Sequence, residues 1–394
     1  MNQEKMSKRT VLSIGSGLPQ LDFIKALKKR NFEVVSIGKG RNSDEAIFLS
    51  DDFIEVDTHD ETAVINWLRS YKRDIHAVGS FAGGMAIGTL QKAVKELELI
   101  PNIPDALMVG MDKFSQQHLY EKYNLSSIKS LSFKEIKDDV TLIAGIKQFI
   151  VKPIIGRGSE GVSVVNKDEL LRLISTSLFD SSTIVQEFRE GVEYRVLILV
   201  QNGELKLLAP VIRESYHDTF FLGRLKFSDH HETRIRSYFT SFFRSVNLQD
   251  CILKADVLVS PNNIDMIEMD IGVGGGIYYK KYISELFSYD LINQYINLIV
   301  NEPVLSSRPP KHGKIMDYIY NTTGKSFKYD VSFISNQLNP IIGKHLILTN
   351  LLKPEDTGNM MSNADFILTI IHEKREVSNY ELNSFINKNI FING

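Results

Sequence analysis

Two groups of residues in this chain have the types and spacing that chemistry needs. Lys152 precedes glycines 156, 158 and 161 in "FIVKPIIGRGSEGVSVV", residues 149–165, and Asp256, Glu268 and Asp270 stand in "ILKADVLVSPNNIDMIEMDIGVGGG", residues 252–276. A lysine beside a glycine-rich loop suits an anionic ligand, because backbone amides can close over phosphate oxygens and the ammonium supplies charge. Three carboxylates close together suit a hard cation such as Mg²⁺, which takes oxygen ligands and keeps phosphates as co-ligands.

The glycines match GxGxxG, but the dinucleotide fingerprint needs a helix after them to receive the pyrophosphate. Here "VSVVN" follows, alternating and β-branched like a strand. Gly156, Gly158, Ser159 and Gly161 are therefore expected at the tip of a hairpin, folded over phosphates without a helix dipole. A P-loop is excluded, since the GK[ST] triplet at Gly324-Lys325-Ser326 has Ile319 where the first glycine belongs. The earlier "GSGLPQ" turn has Gln20 in place of the third small residue, so a glycine-turned βαβ scaffold is expected there in preference to a nicotinamide site.

"PNN" between two apolar runs marks the second segment as a hairpin. Pairing Ser260 with Ile264 across a three-residue loop sets Asp256 opposite Glu268, with Asp270 on the same face. Carboxylates so placed repel one another unless something positive lies among them, and Mg²⁺ bridged to nucleotide phosphates is the economical answer.

The elements that must carry these groups can be traced along the chain. Residues from Thr10 to about Glu98 alternate strand and helix, as in a parallel α/β unit. "IPNIPDALMVGMDK" marks a change of module, "DKFSQQHLYEKYN" a helix starting at Asp112, and the middle region is α+β. "NEPVLSSRPPKHGK" is expected to be a linker. The divisions expected are 1–104, 105–300 with a hinge near 186–188, and 301–394.

Composition limits the rest. A length of 394 residues suggests two or three domains, and a formal net charge of -2 gives no basic excess for a nucleic-acid partner. Cys251 is the single cysteine, so an internal disulfide is impossible and a buried apolar role is expected. Neither a signal peptide nor a membrane span is readable, and a cytoplasmic location is expected.

"IVKP", the Gly/Ser loop and the returning "GVSVV" together resemble the phosphate-covering hairpin of the ATP-grasp superfamily. The resemblance runs over roughly residues 10–300 and implies a Rossmann-like pre-ATP-grasp domain, an ATP-grasp domain of two α+β lobes, and a small C-terminal α+β domain. By resemblance, Lys113 is a second phosphate lysine, and Gln186, Glu187, Phe188 and Glu193 are nucleotide contacts. Glu187 and the Phe188 backbone would meet the adenine edge, and Glu193 the ribose hydroxyls. Asp256, Glu268 and Asp270 match the metal motif, with Asp270 in place of the usual asparagine and Gly272 in place of an arginine that holds substrate charge. Arg213 and Arg224 are the candidates for that empty role, and Lys152, Arg213 and Arg224 are the catalytic candidates.

The resemblance implies an ATP-dependent ligase with one or two Mg²⁺ ions, or Mn²⁺, acting on a small-molecule carboxylate and an amine through an acyl phosphate. A homodimer is allowed. A bicarbonate-using carboxylase, a non-catalytic ATP-binding protein and a nicotinamide oxidoreductase are the alternatives.

Overall fold

The computed structural model describes residues 8–40, 44–81, 85–101, 103–104, 107, 112–156, 158–176, 182–272, 276–311, 313–322, 330–349, 365–374 and 376–389. The Gly324-Lys325-Ser326 triplet and most of "PDALMVGM" lie outside these.

Apolar runs separated by amphipathic ones give β1 (Thr10–Ile14), α1 (Leu18–Lys29), β2 (Glu33–Gly38), α2 (Asp44–Leu49), β3 (Asp52–Glu55), α3 (Glu61–Ser70), β4 (Ala77–Gly79) and α4 (Met85–Glu96). The four strands are parallel in the order β3-β2-β1-β4. At the first turn Gly15 has φ +105°, and a Cβ there would lie 2.9 Å from the Gln20 amide nitrogen. Gln20 is buried and donates to the Ser80 hydroxyl at 3.4 Å, so its side chain fills the turn that a dinucleotide site keeps open.

Helix α5 (Lys113–Lys122) starts as expected, with Asp112 accepting from the Ser115 N–H at 2.7 Å. A small sheet follows, built from β5 (Ser130–Ser132), β6 (Gln148–Pro153), β7 (Ser163–Asn166) and β8 (Thr183–Glu187), with α6 (Phe133–Asp138) and α7 (Lys167–Ser175). Its strand order is β5-β8-β6-β7, all antiparallel. Capping boxes at Ser132/Glu135 and Asn166/Glu169 fix where both helices begin. Phe149, Val151 and Val185 pack with Leu170 and Ile174, and alternation turns Lys152 and Gln186 to the opposite face.

The large sheet holds β9 (Val192–Gln201), β10 (Glu204–Ser215), β11 (Leu222–Phe227), β12 (Cys251–Val259), β13 (Ile264–Ile271), β14 (Ile315–Tyr320), β15 (Leu346–Thr349) and β16 (Phe366–His372). Helices α8 (Glu232–Ser245), α9 (Gly276–Phe287), α10 (Leu291–Ile299), α11 (Val331–Ile342) and α12 (Asn379–Asn389) cover it. The order β13-β12-β9-β10-β11-β14-β16-β15 makes the strands after residue 301 a direct continuation of the sheet through the β11–β14 pair. One face packs Val196, Ile198, Leu253 and Ala255 against Phe239 and Phe243 of α8. The other packs Leu197, Leu199 and Ile252 against Tyr279, Tyr282 and Ile283 of α9. Cys251 is buried, and burial pushes its thiol pKa up, as befits an apolar role. Among the described residues no helix is long and apolar enough to cross a membrane.

Candidate active site

The acidic hairpin reaches the expected pairing by a different route. Ser260 donates its N–H to the Asn263 carbonyl at 3.0 Å, and Val259 rather than Ser260 faces Ile264. The turn is one residue tighter than the sequence suggests, which alone would break the pairing of Asp256 with Glu268. A β-bulge between Val257, opposite Met266, and Asp256, opposite Glu268, absorbs the extra residue, Ile267.

The next pair along this face is Lys254 opposite Asp270. Lys254 Nζ lies 2.8 Å from Asp270 Oδ2 and 3.9 Å from Asp256 Oδ2. Asp256 also receives both arms of Arg195, at 2.8 Å to each oxygen. Burial alone would raise the Asp256 carboxyl, but Arg195 and Lys254 outweigh it and hold the group well below the usual range. Burial likewise disfavours the Lys254 ammonium, and Asp270 and Asp256 reverse that and keep it charged. Part of the positive charge demanded by the acidic trio is therefore supplied by the protein.

The three acids do not converge equally on a cation. Among the described residues no three acidic, histidine or cysteine side chains are placed to hold a metal ion. Both Asp256 oxygens are engaged by Arg195, whereas the partly exposed Glu268 carboxylate accepts no hydrogen bond from a described residue. Glu268 and the Asp270 oxygen not engaged by Lys254 are the oxygens that would fit a hard cation here, and Asp256 orients Arg195 and Lys254 beside them.

Facing this hairpin is the small sheet. Strands β6 and β7 pair from Gln148–Asn166 to Val151–Ser163, so the glycines form a hairpin loop and no helix starts at Gly161. Gly158, Ser159 and Gly161 have φ of +66°, +61° and +70°, left-handed backbone of the kind that lets loop amides converge on an anion. A Cβ on Gly161 would come within 3.1 Å of Pro153 Cγ. Lys113 donates to the carbonyls of Ile154 at 3.4 Å and Gly156 at 3.2 Å, tying α5 to the loop's base. Lys152 is 8% exposed and its ammonium makes no hydrogen bond with a described residue. Burial, with Lys113 adding repulsion, lowers its pKa to about 8 against the pull of Glu268 and Glu193. Lys113 is lowered too, by burial against Glu268 and Asp270, so both lysines and Glu268 share one electrostatic space.

The expected nucleotide contacts have partners of their own. Gln186 is buried on the Lys152 face and donates to Ser130 Oγ at 2.8 Å. Glu187 is held by Arg189 at 2.8 Å, and the Phe188 N–H is used by the Gln148 carbonyl at 3.0 Å. The Phe188 N–H is therefore already committed within the sheet, and its carbonyl is the backbone group to consider for an outside ligand. Glu193 pairs with Arg213 at 3.0 Å; burial raises the Glu193 carboxyl, and Arg213 only partly offsets this.

Arg213 therefore sits with Glu193 beside the acidic face. Arg224 does not. It is 7% exposed at its side chain, bound through both arms to Asp317 at 2.7 and 2.8 Å, and donates to the Val377 carbonyl at 2.6 Å. The pairing of β10 with β11 turns Arg224 to the opposite face from Arg213.

Gly272, in place of the family's arginine, has φ +124°, and a Cβ there would lie 3.2 Å from Ile87 Cδ1. Ile87 of α4 lies against the position where a side chain at 272 would begin. Lys254 is the cation that the sequence reading missed, although its register opposite Asp270 was implicit in the Asp256–Glu268 pairing. Arg195, on β9, was missed because its partner Asp256 stands on β12, far away in sequence.

Residues 121–268 match the ATP-grasp domain family. Among curated proteins no match is found. Solved structures of similar fold include phosphoribosylglycinamide synthetase from Anaerococcus prevotii, at 17% identity, TM-score 0.69 and coverage of 97% of this chain and 98% of that one. N5-carboxyaminoimidazole synthetase from Staphylococcus aureus is similar at 15% identity and TM-score 0.69, over 98% and 99% of the two chains. L-amino acid ligase from Bacillus licheniformis is similar at 12% identity and TM-score 0.71, over 97% and 96%. The glycine hairpin and most of the acidic hairpin thus lie in the stretch that matches the ATP-grasp domain family, on a fold shared with these structures across nearly the whole chain.

Proposed function

We propose that the protein is an ATP-dependent ligase that activates a small-molecule carboxylate and couples it to an amine. The observation that carries this reading is Lys152, a buried ammonium with no hydrogen-bond partner among the described residues. A charge so placed costs several kcal/mol unless an anion meets it, and the left-handed positions Gly158, Ser159 and Gly161 shape a loop whose amides can meet the same anion.

Lys152, Lys113 and the loop would bind the ATP phosphates, and Glu268 with Asp270 would hold Mg²⁺. When bound, the metal neutralises phosphate charge. A substrate carboxylate oxygen attacks the γ-phosphorus, the bond to the β–γ bridging oxygen breaks, and ADP leaves with that electron pair. The amine nitrogen then attacks the acyl carbon, loses a proton to solvent, and phosphate departs. Lys254 orients and balances charge beside Asp270, the part an arginine at 272 would play. Positioning and electrostatics carry such chemistry. Closure of the glycine loop keeps water from the acyl phosphate.

Phosphate release is to be measured with ATP and Mg²⁺ over amino acids, carboxylic acids and amines, each with and without bicarbonate. Release that needs both a carboxylate and an amine supports the reading. Release driven by bicarbonate makes the protein a carboxylase, and nucleotide binding without release under any combination sinks the ligase reading.

A further inference from the structure

A small cavity opens beside the acidic face, lined by Val78, Leu90, Val94, Ile252, Gly272 and Tyr295 among others. Among the described residues no lining side chain is charged. Gln91 adds a polar side chain, and the Tyr295 hydroxyl is already engaged by the Ser80 N–H at 3.1 Å. The walls come from β4 and α4 of the N-terminal unit, from β12 and the end of β13, and from α10, so the cavity lies at a junction of modules, where ligand sites concentrate.

Its position relative to the chemistry follows from the ladder. Asp256 faces Glu268 and Lys254 faces Asp270; Ile252 and Gly272 come next on the same face, joined by the Gly272 N–H to the Ile252 carbonyl at 2.7 Å. Successive same-face positions are about 7 Å apart. A group held at Lys254 and Asp270 is thus one step from the cavity. Gly272 keeps that step open, since a side chain there would press on Ile87.

We propose that this cavity is a specificity pocket for the aliphatic part of the substrate, so the acid activated carries a short, uncharged branched or straight chain. The proposal rests on the ligase reading above. A phosphorylated or dicarboxylic substrate would press a charge against apolar walls without a cation to meet it.

The test is a thermal-shift titration of the full chain with acetate, butyrate, pentanoate, 4-methylpentanoate and succinate, with and without Mg²⁺ and a non-hydrolysable ATP analogue. Apparent affinity is expected to rise about fourfold per added methylene up to the branched acid, with succinate no tighter than acetate. Leu90→Phe should remove the gain for the longer acids while sparing acetate, and Leu90→Ala should move the optimum to longer chains. A flat series in the unmodified protein, or tighter binding of succinate, overturns the proposal without reference to any variant. The shift caused by the nucleotide alone is read separately: its absence counts against the ATP reading, and its presence with a flat acid series counts against the pocket alone.

Discussion

The ammonium of Lys254 lies 2.8 Å from a carboxylate oxygen of Asp270, directly across the β12–β13 ladder and 7% exposed. Removing one partner of such a pair leaves the other charge uncompensated. Lys254→Met should destabilise the fold by about 3–5 kcal/mol in urea unfolding, and Lys254→Met with Asp270→Leu should recover most of that. Neither variant should turn over. Full activity in the double variant would remove both residues from the chemistry.

Glu268 poses the opposite case, since it has no hydrogen-bond partner among the described residues to lose. Glu268→Gln should change stability by no more than about 0.5 kcal/mol, yet abolish ADP formation while nucleotide binding stays measurable. Retained turnover would show that the cation is held elsewhere.

Lys152 makes nucleotide affinity depend on pH. Its folded pKa of about 8 is below the ordinary lysine value of 10.5. The unfolded chain therefore binds more protons between pH 8 and 10.5, and stability should rise with pH across that window; below it the penalty of the buried charge is fully present. Phosphate binding needs the charged form, so kcat/KM for ATP should fall above pH 8, approaching tenfold per unit. Lys152→Met should melt higher than the parent at pH 7 without nucleotide and lose the stabilisation that ATP gives. A pH profile flat to 9.5 would argue against this assignment.

Asp317 tests the division between chemistry and architecture. Fully buried, it accepts from Arg224, from His372 at 2.7 Å and from Asn379 at 2.9 Å. These partners, against the opposing effect of burial, keep its carboxyl below the usual range. Asp317→Asn should cost about 3–5 kcal/mol in unfolding while the folded fraction keeps kcat within about twofold. A larger loss of kcat would return Arg224 to the catalytic candidates.

What the sequence revealed depended on how local the signal was. The α/β alternation, the start of α5 at Asp112 and the strand after Gly161 each rest on neighbours within a few residues, and all appear in the structure. The facing of Asp256 and Glu268 was legible but for an incomplete reason, because a bulge leaves no pattern that apolar alternation can show. Arg195 and Arg224 could not be assigned from the sequence, since their partners Asp256 and Asp317 come from other strands. An arginine facing a carboxylate looks the same in sequence as one facing solvent.

Gly272 makes this end of the ladder intolerant of side chains. Any residue with a Cβ there would strain a backbone at φ +124° and press on Ile87, so a cation cannot be added at 272 by a single substitution. The positive charge beside Asp270 is supplied from across the ladder instead, by Lys254. The two positions are therefore unequal: one is closed to charge by its backbone, and the other is committed to it by its partner.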